Sequence, residues 1–172
     1  LSIVFLFRNL LKETGDNVRM RLTTLLGEIQ VEEKDMIDFP SGIPGFDHLR
    51  KFVILQPEAV KPFAFLQSVE EKDLSFIVAD PFEFYPGYEF TLAEADQQFL
   101  EVSAPEDVAV YCIVTAKTSL AEATMNLLAP VVINISKRIG KQIVLHGTGY
   151  KTKHPLSKTG QPAAKEDHSC SY

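Results

Sequence analysis

The chain has 172 residues, of which 45% are apolar, and its formal net charge at pH 7 is −6. This length and composition allow one domain with a hydrophobic core, which excludes an intrinsically disordered protein. No apolar stretch approaches the roughly 20 residues that a membrane-spanning helix requires. The two cysteines, Cys112 in an apolar run and Cys170 in a polar segment, are too few for a disulfide framework and indicate a reducing compartment.

The acidic residues are concentrated in the middle of the chain. Residues 1–55 carry a net charge of −1, residues 56–108 a net charge of −10, and residues 109–172 a net charge of +5. An acidic segment opposes direct binding of nucleic acid and suits a basic protein partner. The same charges could instead only solvate the outward faces of strands, and the sequence leaves both interpretations open.

The first strand is predicted to begin at Met20, after an apolar and then polar leader that matches no signal-peptide pattern. We therefore divide the chain into an N-terminal appendage (1–19), one folded domain (20–156) and a disordered polar tail (157–172). In the domain, Glu28–Val31 and Met36–Phe39 flank a charged tetrapeptide and are predicted to pair as a hairpin.

Phe39–Phe46, with the sequence Phe-Pro-Ser-Gly-Ile-Pro-Gly-Phe, combines two prolines and two glycines with three large apolar side chains. We call it the Pro/Gly loop. Proline restricts φ, and glycine accepts the positive φ of tight turns, so this loop is expected to be stiff. It either closes one end of the core or offers an apolar surface to a partner, and the two roles are compatible. We expect Phe46 to be the buried anchor and Ile43 to face outward.

Apolar segments of strand length follow the loop. The strands Phe63–Val69 and Leu74–Ala79 are joined by Glu70–Asp73, an entirely charged tetrapeptide that we call the acidic turn and expect to be exposed. A second stiff loop, Asp80–Phe90, is rich in proline and aromatic residues. Thr91–Glu94 matches a capping box, which predicts a short helix that continues to Phe99.

The C-terminal half contains two long apolar runs. Val108–Ala116 is apolar at both parities and is predicted to be a strand buried on both faces. Leu127–Ile135 is interrupted by Pro130, which requires an edge, a bulge or a break in the strand. Asn134 is expected to cap the following turn, in which Gly140 is available for a positive φ.

Eight to ten short strands with close joins and few helical segments indicate an all-β dominated fold. The predicted architecture is an antiparallel β-barrel or barrel-like sandwich with one or two short helices.

The residue types of catalysis are sparse. The four histidines show no metal-ligand spacing, and the chain has no paired-cysteine motif. Cys112 lies among apolar residues and is interpreted as an inert buried thiol. We therefore predict no catalytic residues, no metal site and no cofactor, and we interpret the apolar loops and the charge as binding features.

Three motifs together resemble the flagellar assembly factor family FliW. They are the Pro/Gly loop after a short N-terminal hairpin, the strand Leu74–Asp80 that runs into Pro81, and the run Asn-Leu-Leu-Ala-Pro-Val-Val-Ile-Asn at 126–134. The resemblance extends over about residues 20–156.

The resemblance implies a non-enzymatic bacterial cytoplasmic protein. Proteins similar to FliW bind flagellin and alternatively bind CsrA, a translational repressor that silences the flagellin message, and they thereby couple flagellin synthesis to assembly. No direct contact with nucleic acid or membrane is expected. The candidate partner-binding residues are Ile43, Pro44, Phe46, Glu70, Glu71, Asp73, Asp80, Glu83, Asn126 and Asn134.

An alternative belongs to another functional class, a small-ligand-binding or flavin-binding barrel. Barrels hold ligands at their mouths, and the loop that contains Tyr85 and Tyr88 could cover such a ligand.

Overall fold

A computed structural model describes residues 19–24, 27–116 and 122–156. Residues 1–18 and the proposed tail at 157–172 lie outside this part of the chain. Eleven strands and two short helices are present in the described residues. The strands are β1 (Arg19–Thr24), β2 (Gly27–Glu32), β3 (Ile37–Asp38), β4 (Lys51–Leu55), β5 (Phe63–Ser68), β6 (Ser75–Ala79), β7 (Val108–Thr115), β8 (Thr124–Met125), β9 (Val131–Asn134), β10 (Ile139–Gln142) and β11 (His154–Pro155); the helices are α1 (Pro81–Phe84) and α2 (Glu94–Phe99).

Seven of the strands close into a ring in the order β7-β6-β5-β4-β3-β10-β9, and β9 pairs back onto β7. The ring closes because β7 uses different parts of its length: Val108–Tyr111 pairs with β9, whereas Cys112 and Ile113 pair with β6. All pairings in the ring are antiparallel except the short parallel contact between β3 and β10. The predicted all-β, barrel-like fold with short helices is confirmed.

Large apolar side chains fill the interior of the barrel. Phe52, Leu66 and Val78 from adjacent strands are completely buried, and they form one cluster with Val131 from β9. A second cluster joins Cys112 and Met125 to Leu100 at the end of α2. A barrel of this size is expected to be packed with side chains rather than hollow.

The predicted hairpin between Glu28–Val31 and Met36–Phe39 is wrong. β2 pairs with β1 instead, and a 3₁₀ turn at Glu33–Asp35 carries the chain into the ring, where β3 pairs with β4 and β10. The β1–β2 hairpin covers the outside of the barrel, where Leu22 and Val31 contact Val53 of β4. Alternation alone identified the strands but not their partners, because strand pairing depends on tertiary contacts that a local pattern does not specify.

The predicted helix after Thr91 is present, but the capping box is not. Helix α2 begins at Glu94 itself, and its N-cap residue is Ala93, which makes no side-chain capping bond. Packing holds the helix in place: Lys141 Nζ lies 2.7 Å from Asp96 Oδ1 and 4.8 Å from the centre of the Phe99 ring. Pro130 ends the approach to β9, which begins at Val131 as expected for a strand break. None of the helices in the described residues is long and apolar enough to cross a membrane.

Candidate functional site

The Pro/Gly loop consists of two successive tight turns. Gly42 N–H donates to Phe39 O at 2.8 Å, and Phe46 N–H donates to Ile43 O at 2.7 Å. Gly42 and Gly45 have φ values of 69° and 87°. A Cβ on Gly42 would lie 2.7 Å from the Cα of Asp47, so this position requires glycine for space as well as for conformation.

The expected orientations of Ile43 and Phe46 are wrong. Ile43 is 1% exposed and belongs to the cluster that contains Phe52, whereas Phe46 is only partly buried. The two residues form a bridge across the tip Pro44-Gly45, and this bridge directs Ile43 into the core. The Phe46 ring packs edge-on against Phe76 with a centroid distance of 5.3 Å. Of the three nominated loop residues, Pro44 is the exposed one.

The acidic turn is exposed, as predicted, and it joins β5 to β6 in an antiparallel pair. A buried glutamine determines its shape. Nε2 of Gln67, which is 1% exposed, lies within 3.4 Å of the carbonyl oxygens of Ser68, Glu71, Lys72 and Leu74. Ser68 Oγ accepts hydrogen bonds from the backbone N–H groups of Glu70 and Glu71. These bonds make the turn a defined platform for its charges.

The structure brings the Pro/Gly loop and the acidic turn together at Arg50. Glu70 Oε2 accepts from the backbone N–H of Arg50 at 2.5 Å, and the Arg50 side chain donates to Pro40 O at 2.6 Å. Arg50 and Gln67 are not among the residues predicted from the sequence, since neither stands in a motif. The sequence offers one signal for Gln67, namely that a polar residue stands near the end of a strand, close to a charged turn.

Asp80 and Glu83 lie at the opposite end of β6 from the acidic turn, because β6 runs from Ser75 to Ala79 between them. Asp80 is the N-cap of α1, and its Oδ1 accepts from Phe82 N–H at 2.8 Å. Burial is the main cause that raises the pKa of both carboxyl groups, and Asp80 adds to the effect at Glu83. Phe82, between them, is 43% exposed. The nominated acidic residues therefore form two separate surfaces.

Asn134 is 1% exposed and is a structural residue rather than an available contact. Its Oδ1 accepts from the N–H groups of Ser136 and Lys137, which confirms the predicted cap, and its Nδ2 donates to Leu100 O and Glu101 O. The sequence could not reveal the second pair of bonds, because Asn134 lies 34 positions from Leu100 and 33 positions from Glu101 along the chain.

Asn126 is partly buried, and its Oδ1 accepts from Ala129 N–H at 3.0 Å. This bond shapes the excursion between β8 and β9, both of which pair with β7. Asn126 therefore also has a local structural role.

The comparisons with known proteins agree on one family. The family model described as FliW protein matches residues 21–156. The chain belongs to the FliW family of flagellar assembly factors.

Curated relatives named flagellar assembly factor FliW cover most of the chain. FliW of Anoxybacillus flavithermus and FliW of Bacillus subtilis are each 42% identical over 130 residues, which is 76% of this chain and 89% and 91% of theirs. FliW of Caldicellulosiruptor saccharolyticus is 44% identical over 132 residues. A crystal structure of the flagellar assembly factor FliW superimposes with a TM-score of 0.73 at 42% identity and covers 81% of this chain and 96% of the other.

All ten nominated residues lie inside the FliW match. Among the described residues, no group of three or more His, Cys, Asp or Glu side chains could hold a metal ion. Cys112 is fully buried, and burial is the main cause that raises its pKa to about 12, as expected for an inert thiol.

The loop that contains Tyr85 and Tyr88, the candidate cover of a ligand, packs against the chain itself in this FliW family member. Tyr88 OH donates to Leu127 O at 2.9 Å, and Tyr85 OH donates to Pro155 O. A depression of about 500 Å³ lies elsewhere, and its lining is mostly polar, unlike the apolar walls that hold most cofactors. Its lining residues are Glu94, Gln97, Gln98, Glu101, Val102, Ser103 and Lys137.

Proposed function

We propose that this chain is a non-enzymatic flagellar assembly factor that binds flagellin in the cytoplasm and antagonises the translational repressor CsrA. Through these two interactions it couples flagellin synthesis to flagellar assembly. The observation that carries the proposal is the FliW family match over residues 21–156, which contains both the Pro/Gly loop and the acidic turn. Neither a direct nucleic-acid contact nor a membrane contact is part of the proposed function.

The surface chemistry supports a basic partner. Glu71 and Asp73 are exposed, and within the described residues neither carboxylate forms an ion pair with a lysine or arginine. Unpaired acidic groups attract a basic RNA-binding surface and repel phosphate. Binding of CsrA near this turn would therefore lower its affinity for RNA even without direct occupation of the RNA site.

The first experiment tests both partners. The purified protein is titrated separately with flagellin and with CsrA by calorimetry, and CsrA is also titrated with a labelled flagellin leader RNA in its presence. We expect saturable binding of each partner and release of the RNA. Absence of binding to either partner contradicts the proposal for that partner, and the absorbance spectrum of the same sample tests the flavin alternative directly.

The second experiment tests the role of the acidic turn. Glu71→Lys/Asp73→Lys changes the formal net charge from −6 to −2. Association with CsrA is expected to slow by about tenfold at low salt, because steering between opposite charges raises association rates. The difference should shrink as salt rises, since the Debye length is about 8 Å at physiological ionic strength.

The matched control is Glu94→Lys/Glu106→Lys, which makes the same change in net charge at another place. Glu106 precedes β7, which runs antiparallel to β6 and therefore starts at the end away from the acidic turn. We expect a smaller effect on the association rate with CsrA. Equal effects of the two double variants would show that only net charge matters and that the acidic turn is a solvated surface.

A further inference from the structure

The Glu70 side chain acts as a substitute for a strand carbonyl. β5 ends at Ser68, yet the chain beyond it continues to bond with the start of β4: Val69 N–H donates to Lys51 O at 2.9 Å. Glu70 Oε2 then accepts from two successive backbone groups, Arg50 N–H at 2.5 Å and Lys51 N–H at 2.9 Å. This carboxylate therefore continues the hydrogen bonding between β4 and β5 beyond the end of β5. Hydrogen bonds to a charged acceptor are also stronger than neutral ones.

Arg50 is bonded to the Pro/Gly loop on its other side. Phe39 N–H donates to Arg50 O at 2.7 Å, and Arg50 Nη1 donates to Pro40 O at 2.6 Å. A single residue thus joins the first two residues of the Pro/Gly loop to the acidic turn. All of these bonds involve backbone groups on at least one side, so they constrain the path of the chain.

An aromatic contact makes a second, independent connection. Phe46, at the end of the Pro/Gly loop, packs edge-on against Phe76 with an interplanar angle of 80°. Phe76 is the second residue of β6, which leaves the acidic turn. Both ends of the Pro/Gly loop are therefore connected to the β5–β6 hairpin, the first end through Arg50 and the last end through Phe46.

We propose that the Pro/Gly loop and the acidic turn form one docking surface, in which Glu70 and Arg50 are positioning residues rather than partner contacts. The proposal rests on the proposed function and deepens it. The Glu70 carboxylate is committed to backbone N–H groups, so the charges that meet a partner are those of Glu71 and Asp73. Pro40 and Pro44 are exposed and supply the stiff apolar part of the surface.

The occupant that this surface fits is the basic protein of the proposed function, CsrA. A basic side chain would face the acidic turn, and adjacent apolar surface would lie on the prolines of the loop. The position of the acidic turn relative to the loop then contributes to affinity, because pre-ordered binding groups lose less conformational freedom on association.

The binding experiment separates positioning from charge by comparing Glu70→Ala, Glu70→Gln and Glu71→Gln in titrations with CsrA. Glutamine at position 70 keeps an oxygen that can accept from both N–H groups, so we expect its Kd to stay within about twofold of the parent. Glu70→Ala is expected to raise Kd about tenfold, which corresponds to about 1.4 kcal/mol. Glu71→Gln removes the same charge as Glu70→Gln but is expected to weaken binding, because Glu71 faces the partner.

Two results of the titration would overturn the proposal. If Glu70→Gln weakens binding as much as Glu70→Ala, the carboxylate is a charge contact. If Glu70→Ala binds as tightly as the parent, the connection does not matter for docking. Thermal unfolding of each variant accompanies the titration, since Glu70→Gln should restore both melting temperature and affinity relative to Glu70→Ala.

A measurement without partner tests the connection itself. Amide hydrogen exchange in Glu70→Ala should accelerate at Arg50 and Lys51, which lose their acceptor, and also at Gly42 and Phe46 within the loop. The control Glu71→Ala should leave all four amides unchanged. Acceleration confined to Arg50 and Lys51 would show that the loop does not depend on Glu70. If the parent protein fails to bind CsrA, the proposed partner is wrong, whereas the exchange data still decide the positioning role.

Discussion

The ring of Phe39 lies directly over the backbone of Gly140. A Cβ added to Gly140 would come within 2.5 Å of Phe39 Cζ, and Phe39 itself is completely buried. Gly140 was the residue expected to be available for a positive φ in the β9–β10 turn, but Arg138, with a φ of 57°, is the residue that adopts one. Gly140 is therefore required for close approach, and it lets the first residue of the Pro/Gly loop pack onto β10.

Gly140→Ala is expected to lower the free energy of unfolding by about 1–3 kcal/mol, because the added methyl group must displace a fully packed ring. The measurement is urea denaturation. Gly149→Ala is the matched control, since a Cβ there meets nothing within 4 Å, and its effect should stay within about 0.5 kcal/mol. Equal stability of the two variants would show that Phe39 can move aside without cost.

Ile43→Ala is expected to destabilise the protein by about 2–5 kcal/mol, because it leaves a cavity in the cluster around Phe52. Ile43→Asp should prevent stable folding, since it buries a carboxylate in an apolar site. Val144→Ala, at a position that is 49% exposed, serves as the control in the same denaturation series. A stable, folded Ile43→Asp protein would contradict the buried position of this side chain.

The contrast between Ile43 and Phe46 shows where sequence reasoning stopped. Prolines and glycines predicted a stiff loop correctly, because their backbone restrictions are local. Which of two apolar side chains turns inward depends on the bridge between Ile43 and Phe46 and on the position of Phe76, and both are tertiary. The same limit applies to β2 and β3, whose alternation was recognised but whose partners were not.

The acidic residues show the same limit in another form. Their exposure followed from composition. The bonds from Glu70 to the backbone did not, because Arg50 lies 20 positions and Lys51 lies 19 positions before Glu70 in the chain. No local pattern distinguishes Glu70 from Glu71. Local patterns therefore indicate the segments of the candidate site, whereas the roles of its individual side chains depend on contacts between distant parts of the chain.

Asn134→Ala is expected to cost about 2–4 kcal/mol of stability, because it removes the four backbone hydrogen bonds of a buried side chain, one of them to the carbonyl oxygen of the fully buried Leu100. Asn134→Asp should also destabilise the protein, since a carboxylate cannot donate to Leu100 O and Glu101 O. Asn126→Ala breaks one bond, to Ala129 N–H, and should cost only about 0.5–1.5 kcal/mol.

Affinity measurements on folded Asn126→Ala then test its proposed partner contact. Reduced affinity for flagellin or CsrA is the expected result, and unchanged affinity for both would leave Asn126 with its structural role alone. A small stability loss in Asn134→Ala, similar to that of Asn126→Ala, would contradict the importance assigned to its four backbone bonds.

The domain boundaries form a separate proposal. β1 begins at Arg19, which pairs with Glu32, so a shortened chain of residues 19–156 contains every strand and helix described above. We expect this chain to fold with an unfolding free energy close to that of the full chain, as measured by urea denaturation, and to bind the same partners. Aggregation or a large loss of stability would show that residues outside 19–156 contribute to the fold.

Stability should depend on pH through His154. Its Nε2 accepts from Lys151 N–H at 2.8 Å, and this bond requires an unprotonated nitrogen. Burial is the main cause that lowers the pKa of His154, and the charge of Lys151 adds to the effect. A base whose pKa is lower in the folded state binds protons more tightly when unfolded, so its contribution is complete above the unfolded pKa of about 6.5 and is lost as the pH falls below that value.

The unfolding free energy of the parent protein is therefore expected to fall as the pH is lowered from about 7 to about 5, a range that spans the unfolded pKa of histidine. The fall should be smaller in His154→Gln. His48→Gln, at an exposed position, is the matched control. Asp80 and Glu83 act in the opposite direction, because carboxyl groups with a raised pKa bind protons more tightly when folded. The difference in unfolding free energy between the variants, rather than the total pH profile, thus isolates the contribution of His154.

Parallel pH profiles for the parent and His154→Gln would show that the imidazole stays solvated and that its bond to Lys151 does not contribute to stability.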